Sequence, residues 1–156
     1  MNKFKVLIKN TNTNKKKWYT CPLDKDTIFN ELELTSDNYV IKDPDGPYPL
    51  EICDSIDQVV NEYNAYLLLP DYIQNHIHAI AFEYDYIADT LNAYNNGKID
   101  FYPGVTSKRA FVIEYMKDNH IVKDELLEFI DYDKYFEHLS ETLNILLTAD
   151  GAMILN

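Results

Sequence analysis

One stretch of this chain constrains its folding more than any other: residues 43–97 carry ten Asp and Glu and not one Lys or Arg. Ordinary surfaces intersperse both signs. A run of carboxylates without a cation repels itself, which works against compact packing and favours an extended shape. The flanks differ from it. Residues 1–42 hold eight lysines against five acids, a net of +3, and residues 98–156 hold six basic against eleven acidic groups, a net of −5. Within the last part, residues 124–141 carry seven acids with Lys134 as the lone Lys or Arg. The formal charge of the 156-residue chain is −12, so nucleic acid and anionic membrane are expected to be poor partners, because the field of the whole molecule repels both. The plainer meaning of such acidity is a solvated surface.

A hydrophobic fraction of 46% with 13% aromatics is enough for packed cores, which excludes disorder of the chain as a whole. Cys21 and Cys53 are too few for a disulfide scaffold and read as intracellular free thiols. The basic N-terminus MNKFKVLIKN lacks the apolar core and cleavage site of a signal peptide, and no apolar run approaches the roughly 18 residues of a membrane span. A soluble, cytoplasmic protein is expected.

Periodicity and punctuation predict an α+β chain of three small modules. In residues 1–52, Phe4 to Lys9 alternates as a strand and Trp18 to Cys21 returns as a hairpin arm. Asp24 or Asp26 caps a helix through Leu32, and Asn38 to Lys42 is a third strand before the turn Asp43 to Pro49. Residues 53–97 read as an acidic helical bundle. Ile56 to Leu69 has Ile56, Val59, Val60, Tyr63 and Leu67 at helical spacing behind a cap at Asp54 or Ser55, followed by helices over Asp71 to Phe82 and Tyr84 to Tyr94. In residues 98–156 a strand, Lys98 to Tyr102, precedes a helix capped by Thr106 or Ser107 and a helical stretch from Ile121 to Leu139 that breaks near Asp131. Leu143 to Thr148, Asp150-Gly151 and Ala152 to Leu155 spell a β-hairpin. Each module of roughly fifty residues is too small for much independent stability. The tyrosines on helical stripes, Tyr63, Tyr66, Tyr86, Tyr94, Tyr115 and Tyr135, read as half-buried core.

Enzyme motifs fail one at a time. Four glycines, Gly46, Gly97, Gly104 and Gly151, allow neither a phosphate-cradling loop nor a dinucleotide fingerprint. His76 and His78 sit two apart on a predicted helix and point about 200° from each other, so they cannot share a metal there. Asp43-Pro44-Asp45-Gly46 is too short for a calcium loop. Ser107, His120 and Asp131 form only the sort of trio that any chain of this length offers. Neither catalytic residues, a metal nor a cofactor is expected, and the chain does not read as an enzyme.

The acidic helices suggest another use. Duplex DNA carries one negative charge per roughly 1.7 Å of axis, and carboxylates three or four apart on a helix stand about 4.5–6 Å apart on one face. Glu62, Asp71, Glu83, Asp85 and Asp89 in the middle module, and Asp124, Glu125, Glu128, Asp131, Asp133, Glu137 and Glu141 in the last, are the candidate phosphate-mimic surface. Such a surface suits a groove lined with Lys and Arg.

Trp18-Tyr19-Thr20-Cys21-Pro22, then Tyr39-Val40-Ile41-Lys42-Asp43, Pro47-Tyr48, Ser55-Ile56, Phe129-Ile130-Asp131-Tyr132, Tyr135, Leu139 and the closing hairpin around Gly151 follow one another in an order and spacing that resembles the ArdA family of antirestriction proteins. The resemblance implies three modules in a curved, elongated subunit and an end-to-end homodimer. It implies an acidic surface imitating bent B-form DNA in the DNA site of type I restriction–modification enzymes, and it brings no catalytic residue. The family's antirestriction segment would fall roughly within Asp124 to Leu147. The run Lys15-Lys16-Lys17 and the modest total charge depart from the family pattern. An apolar dimer interface is expected from Ile145, Leu146, Leu147, Met153 and Ile154. Rival expectations are the same mimicry against another DNA-binding defence system such as a CRISPR nuclease, and an acidic adaptor that docks through its tyrosines.

Overall fold

The computed structural model describes residues 4–35, 38–45, 53–80 and 83–156, with the side chains of Asp43, Pro44 and Asp124 outside that description. Among the described residues it is a mixed α+β fold with seven α-helices and two small antiparallel sheets. The chain divides into two compact units, residues 1–91 and 92–156. No described helix is long and apolar enough to cross a membrane. The predicted turn around Pro47-Tyr48 and the end of the predicted helix at Ala81 and Phe82 lie outside the described residues.

In the first unit, β1 (Lys5–Asn10) is the centre of a sheet ordered β2-β1-β3, with β2 (Lys16–Thr20) and β3 (Tyr39–Asp45) at its edges. β3 runs three residues beyond the predicted Lys42, pairing Lys5 with Asp45 after an irregularity in register. The β1–β2 connection is set by Asn10, which is fully buried. Its amide nitrogen donates to the carbonyls of Leu32 and Glu33 at 2.9 and 3.1 Å, and its Oδ1 accepts from the backbone N–H of Asn12 and Thr13 at 2.8 and 3.1 Å. One side chain thus ties the hairpin to the end of α1 (Lys25–Leu32). That helix starts where Asp24 accepts from the N–H of Asp26 and Thr27, and stops where Glu33 turns left-handed at φ 54°.

α2 (Ile56–Leu68) is capped by Ser55, whose Oγ accepts from Gln58 N–H at 3.1 Å. Its buried face is Ile56, Val59, Glu62, Ala65 and Tyr66, whereas Leu67 and Leu68 are exposed. The predicted stripe ending at Leu67 is therefore rotated, because Phe4 packs edge-on against both Tyr63 and Tyr66, with centroids 5.4 and 4.9 Å away. The predicted single helix over Asp71 to Phe82 is two short ones, α3 (Asp71–Gln74) and α4 (Ile77–Ile80). Asn75 and His76, weak helix formers, turn the chain between them, and His76 N–H reaches back three residues to Ile73. Ile73, Ile77 and Ile80 still face inward. α5 (Ile87–Asn95) begins three residues later than predicted, and the division between the units falls inside it.

In the second unit the sheet order is β4-β6-β5, from β4 (Ile99–Pro103), β5 (Asn144–Leu147) and β6 (Gly151–Leu155). α6 (Lys108–Asp118) is capped by Ser107, as its sequence suggests. The predicted stretch Ile121 to Leu139 becomes a 3-10 helix, Asp124–Phe129, and α7 (Tyr132–Ser140), separated by Asp131 acting as the N-cap of α7. The core gathers Phe111, Val112, Met116, Phe136, Leu139, Ala152 and Ile154. Phe111 meets Tyr102 and Phe136 edge-on at 5.5 and 5.9 Å.

Gly151 opens β6 opposite Pro103, and a Cβ there would meet the Tyr102 carbonyl oxygen and lie 2.7 Å from Phe101 Cε2. Backbone on one side leaves little to give, so Gly151→Ala is expected to cost about 2 kcal/mol by overpacking. Urea unfolding would measure it, and an unchanged midpoint would show that β4 shifts freely.

Candidate interaction surface

The acidic candidates of the second unit fall on an outward face. α7 turns Tyr135, Phe136 and Leu139 toward the unit's core and leaves Asp133, Glu137 and the C-cap residue Glu141 exposed. Glu125 and Glu128 are exposed on the preceding 3-10 helix, where side chains three apart stand above one another about 6 Å apart along the axis. Asp133 and Glu137, four apart on α7, repeat that spacing. Asp131 is also exposed, but it is tied down: it accepts from Lys134 N–H at 3.3 Å and pairs with Lys134 Nζ at 3.3 Å. Those bonds, the backbone one foremost, hold its carboxyl below the usual range. Glu141 lies 3.6 Å from His138 Nδ1. Glu125, Glu128, Asp133 and Glu137 have no ion pair among the described residues. The side chain of Asp124 lies outside the described residues.

In the first unit, Asp71, Glu83, Asp85 and Asp89 are exposed, with Asp71 and Asp89 in the first turns of α3 and α5, where carboxylates suit the helix dipole. Glu62 is a correction. Expected on the acidic surface, it is only 2% exposed, and its Oε2 accepts from the N–H of Ile87 at 2.6 Å and of Ala88 at 3.3 Å. It caps α5 from 25 residues away, satisfying donors that the helix start leaves open. Burial outweighs those two bonds and raises its pKa, with Asp89 adding to the rise.

The expected interface residues also divide. Met153 and Ile154, 0% and 4% exposed, are buried in β6, with Ile154 in the unit's own core, which removes them from any outer contact. On edge strand β5, half-buried Ile145 and Leu147 lie in register with Ile154 and Ala152 and pack against the unit's own core, so that Leu146, on the other face, is the one expected residue of the strand not spent on that core. Sequence patterning missed the exposed apolar pair beside the carboxylates, Leu126 at 50% and Phe129 at 76%, on the 3-10 helix that replaces part of the expected helical stretch.

A cleft of about 850 Å³ opens along β4 and α6, lined in part by Asp100, Tyr102, Val105, Ile113, Glu114 and Asp118. Burial, then the charges of Asp118 and Asp100, raise the Tyr102 phenol, which stays neutral. Of the acids in the cleft, Glu114 is paired with Lys117 at 3.3 Å.

Both cysteines are free thiols in the first unit; burial raises Cys21 to about 11 and Cys53 to about 12, with Glu62 adding to the latter. No cluster of three or more His, Cys, Asp or Glu with metal-binding geometry occurs among the described residues. His76 lies in the turn after α3 and His78 in α4, rather than on one helix.

Comparison with protein-family models and with curated proteins gives no match to this chain.

Proposed function

We propose that this chain is a DNA-mimic inhibitor that occupies the DNA-binding groove of a type I restriction–modification enzyme, as its resemblance to the ArdA antirestriction family implies. The observation that carries the proposal is the set of exposed carboxylates Glu125, Glu128, Asp133 and Glu137, without an ion pair among the described residues and spaced about 6 Å apart within each helix. A groove that binds phosphates through Lys and Arg is indifferent to whether the oxygens are phosphate or carboxylate. Asp71, Glu83, Asp85 and Asp89 are the exposed acids that the first unit would bring to the imitation. The proposal includes the finer arrangement of three modules, residues 1–52, 53–97 and 98–156, in an elongated homodimer that joins along edge strand β5 at Leu146, and a cytoplasmic site of action. It includes no catalytic step, metal or cofactor. The same surface would serve against another DNA-binding defence enzyme, such as a CRISPR nuclease.

Purified protein should displace labelled duplex DNA from the methyltransferase core of a type I enzyme without itself binding the duplex. A ternary complex with both ligands on one site would sink the proposal. Leu126 and Phe129, exposed among the carboxylates, favour a second reading, an acidic adaptor that docks by apolar contact. Ionic strength separates the two: groove mimicry weakens steeply with salt, apolar docking only slightly.

A further inference from the structure

The sheet of the first unit has two unlike faces. Residues directly opposite one another across antiparallel strands share a face, so the register sorts the side chains. Val6 with Tyr19 and Ile8 with Lys17 lie on one face; Lys5 with Thr20, Leu7 with Trp18 and Lys9 with Lys16 lie on the other, joined from β3 by Val40 and Lys42. Helix α1 meets the first face. There Glu31 accepts from Lys17 Nζ and Tyr19 Oη at 2.9 and 2.8 Å, and nearby Lys15 pairs with Glu33. Two lysines of the run Lys15-Lys16-Lys17 are thereby neutralised.

The second face is not. Lys5, Lys9 and Lys16 flank Trp18, which is 47% exposed, Lys42 stands across Leu7 from it on the same face, and none of the four lysines has an ion pair among the described residues. One described carboxylate, Asp45, stands in register there, opposite Lys5. Lys9 and Lys16 face each other directly, an arrangement of like charges that destabilises a sheet unless an anion sits between them. Lysine on an edge strand blunts unwanted strand pairing, which accounts for Lys16. It does not account for Lys5 and Lys9 on the central strand, nor for an exposed indole among them.

We propose that this face binds a short single-stranded nucleic acid, with a base stacked on Trp18 and backbone phosphates on Lys9, Lys16 and Lys42. An exposed aromatic ring within a cationic surface is the pairing that single strands use, because every base offers a π face and every linkage a charge. Strands about 4.8 Å apart and alternate residues about 6.7 Å apart set the cations on a grid only a few nucleotides across. Stacking also selects the single strand: its unpaired bases leave a π face free for Trp18, whereas a duplex keeps its bases stacked on one another. Repulsion from acids beyond about 8 Å is screened at physiological salt, while the lysines act at contact. The inference is independent of the acidic surface of the second unit and goes beyond the inhibitory role.

The test is fluorescence anisotropy of the full chain with a labelled short oligothymidylate at low salt, read alongside the fluorescence of Trp18, the only tryptophan. Binding should quench Trp18 and weaken with a log–log salt slope of roughly −2, as for three phosphates on a single strand. W18A should lose on the order of tenfold in affinity. K9E/K16E should abolish binding, and the milder K9Q/K16Q, checked for fold by circular dichroism, should weaken it substantially. No binding at low salt overturns the proposal, as does binding indifferent to W18A and K9Q/K16Q. Equal affinity for duplex overturns it too, as does a Trp18 response to phosphatidylserine vesicles but not to the oligonucleotide.

Discussion

Glu62→Ala is expected to destabilise the first unit by about 3 kcal/mol, because it leaves the N–H groups of Ile87 and Ala88 without their acceptor and opens a void where the side chain stood. Glu62→Gln should behave in the opposite way. Its amide oxygen can still accept from Ile87, and it removes a carboxylate from a site only 2% exposed. The pH dependence fixes the sign. The folded state raises the Glu62 pKa above its ordinary 4.5, so it holds the proton more tightly than the unfolded chain does. The stability from this group is then complete below 4.5 and is lost as pH rises through the raised value. Measured by urea unfolding across acid to neutral pH, the Glu62→Gln variant should gain on the natural protein as pH rises. If the natural protein gains instead, the two backbone bonds outweigh burial and the carboxylate is a stabilising cap.

Glu62 also marks the limit of what the sequence discloses. Caps whose donors lie within three residues are legible to within two positions: Asp24, Ser55 and Ser107 are each one of the two candidates at their helix start, and Asp131, which reads only as a break in a longer helical stretch, is the N-cap of α7. The hairpin at Gly151 is legible for the same reason, since Thr148 Oγ1 and the Gly151 backbone meet across a single turn. Glu62 answers a helix 25 residues away, and Asn10 reaches carbonyls 22 and 23 residues away, so neither has a local pattern to betray it. The α2 stripe was misplaced because Tyr66, not Leu67, has Phe4 to pack on. For the acidic surface the outcome is mixed. Carboxylates pay little to stay in water and much to leave it, so charge alone located most of them outside; it could not distinguish the one that buries itself as a cap. The lysine run divides in a similar way: its sequence is uniform, but strand alternation sends Lys17 to Glu31 and leaves Lys16 beside Lys9 on the opposite face.

On the proposed function, reversing Glu125, Glu128 and Glu137 together to lysine is expected to weaken inhibition of a type I restriction–modification enzyme by about 3 kcal/mol, on the order of a hundredfold. Each exposed carboxylate meeting a cation contributes modestly, and reversal turns an attraction into a repulsion of similar size. The fold should tolerate the change: all three are exposed, none has an ion pair among the described residues, and a lysine in the later turns of α7 suits the helix dipole. Asp131 and Asp133 are left in place because one caps α7 and the other lies in its first turn, so their loss would confound binding with stability. A single neutral change, Glu128→Gln, should cost less than about threefold, since the remaining carboxylates hold the groove. The gap between the triple variant and the natural protein should narrow as salt is raised, because exposed charges are the ones that ions screen. An inhibition assay at two ionic strengths, with unfolding curves on the same samples, reads all of these. If Glu128→Gln alone abolishes inhibition with the fold intact, the protein acts through a discrete contact rather than a distributed imitation of phosphates, and Leu126 and Phe129 on the same 3-10 helix become the residues to change next.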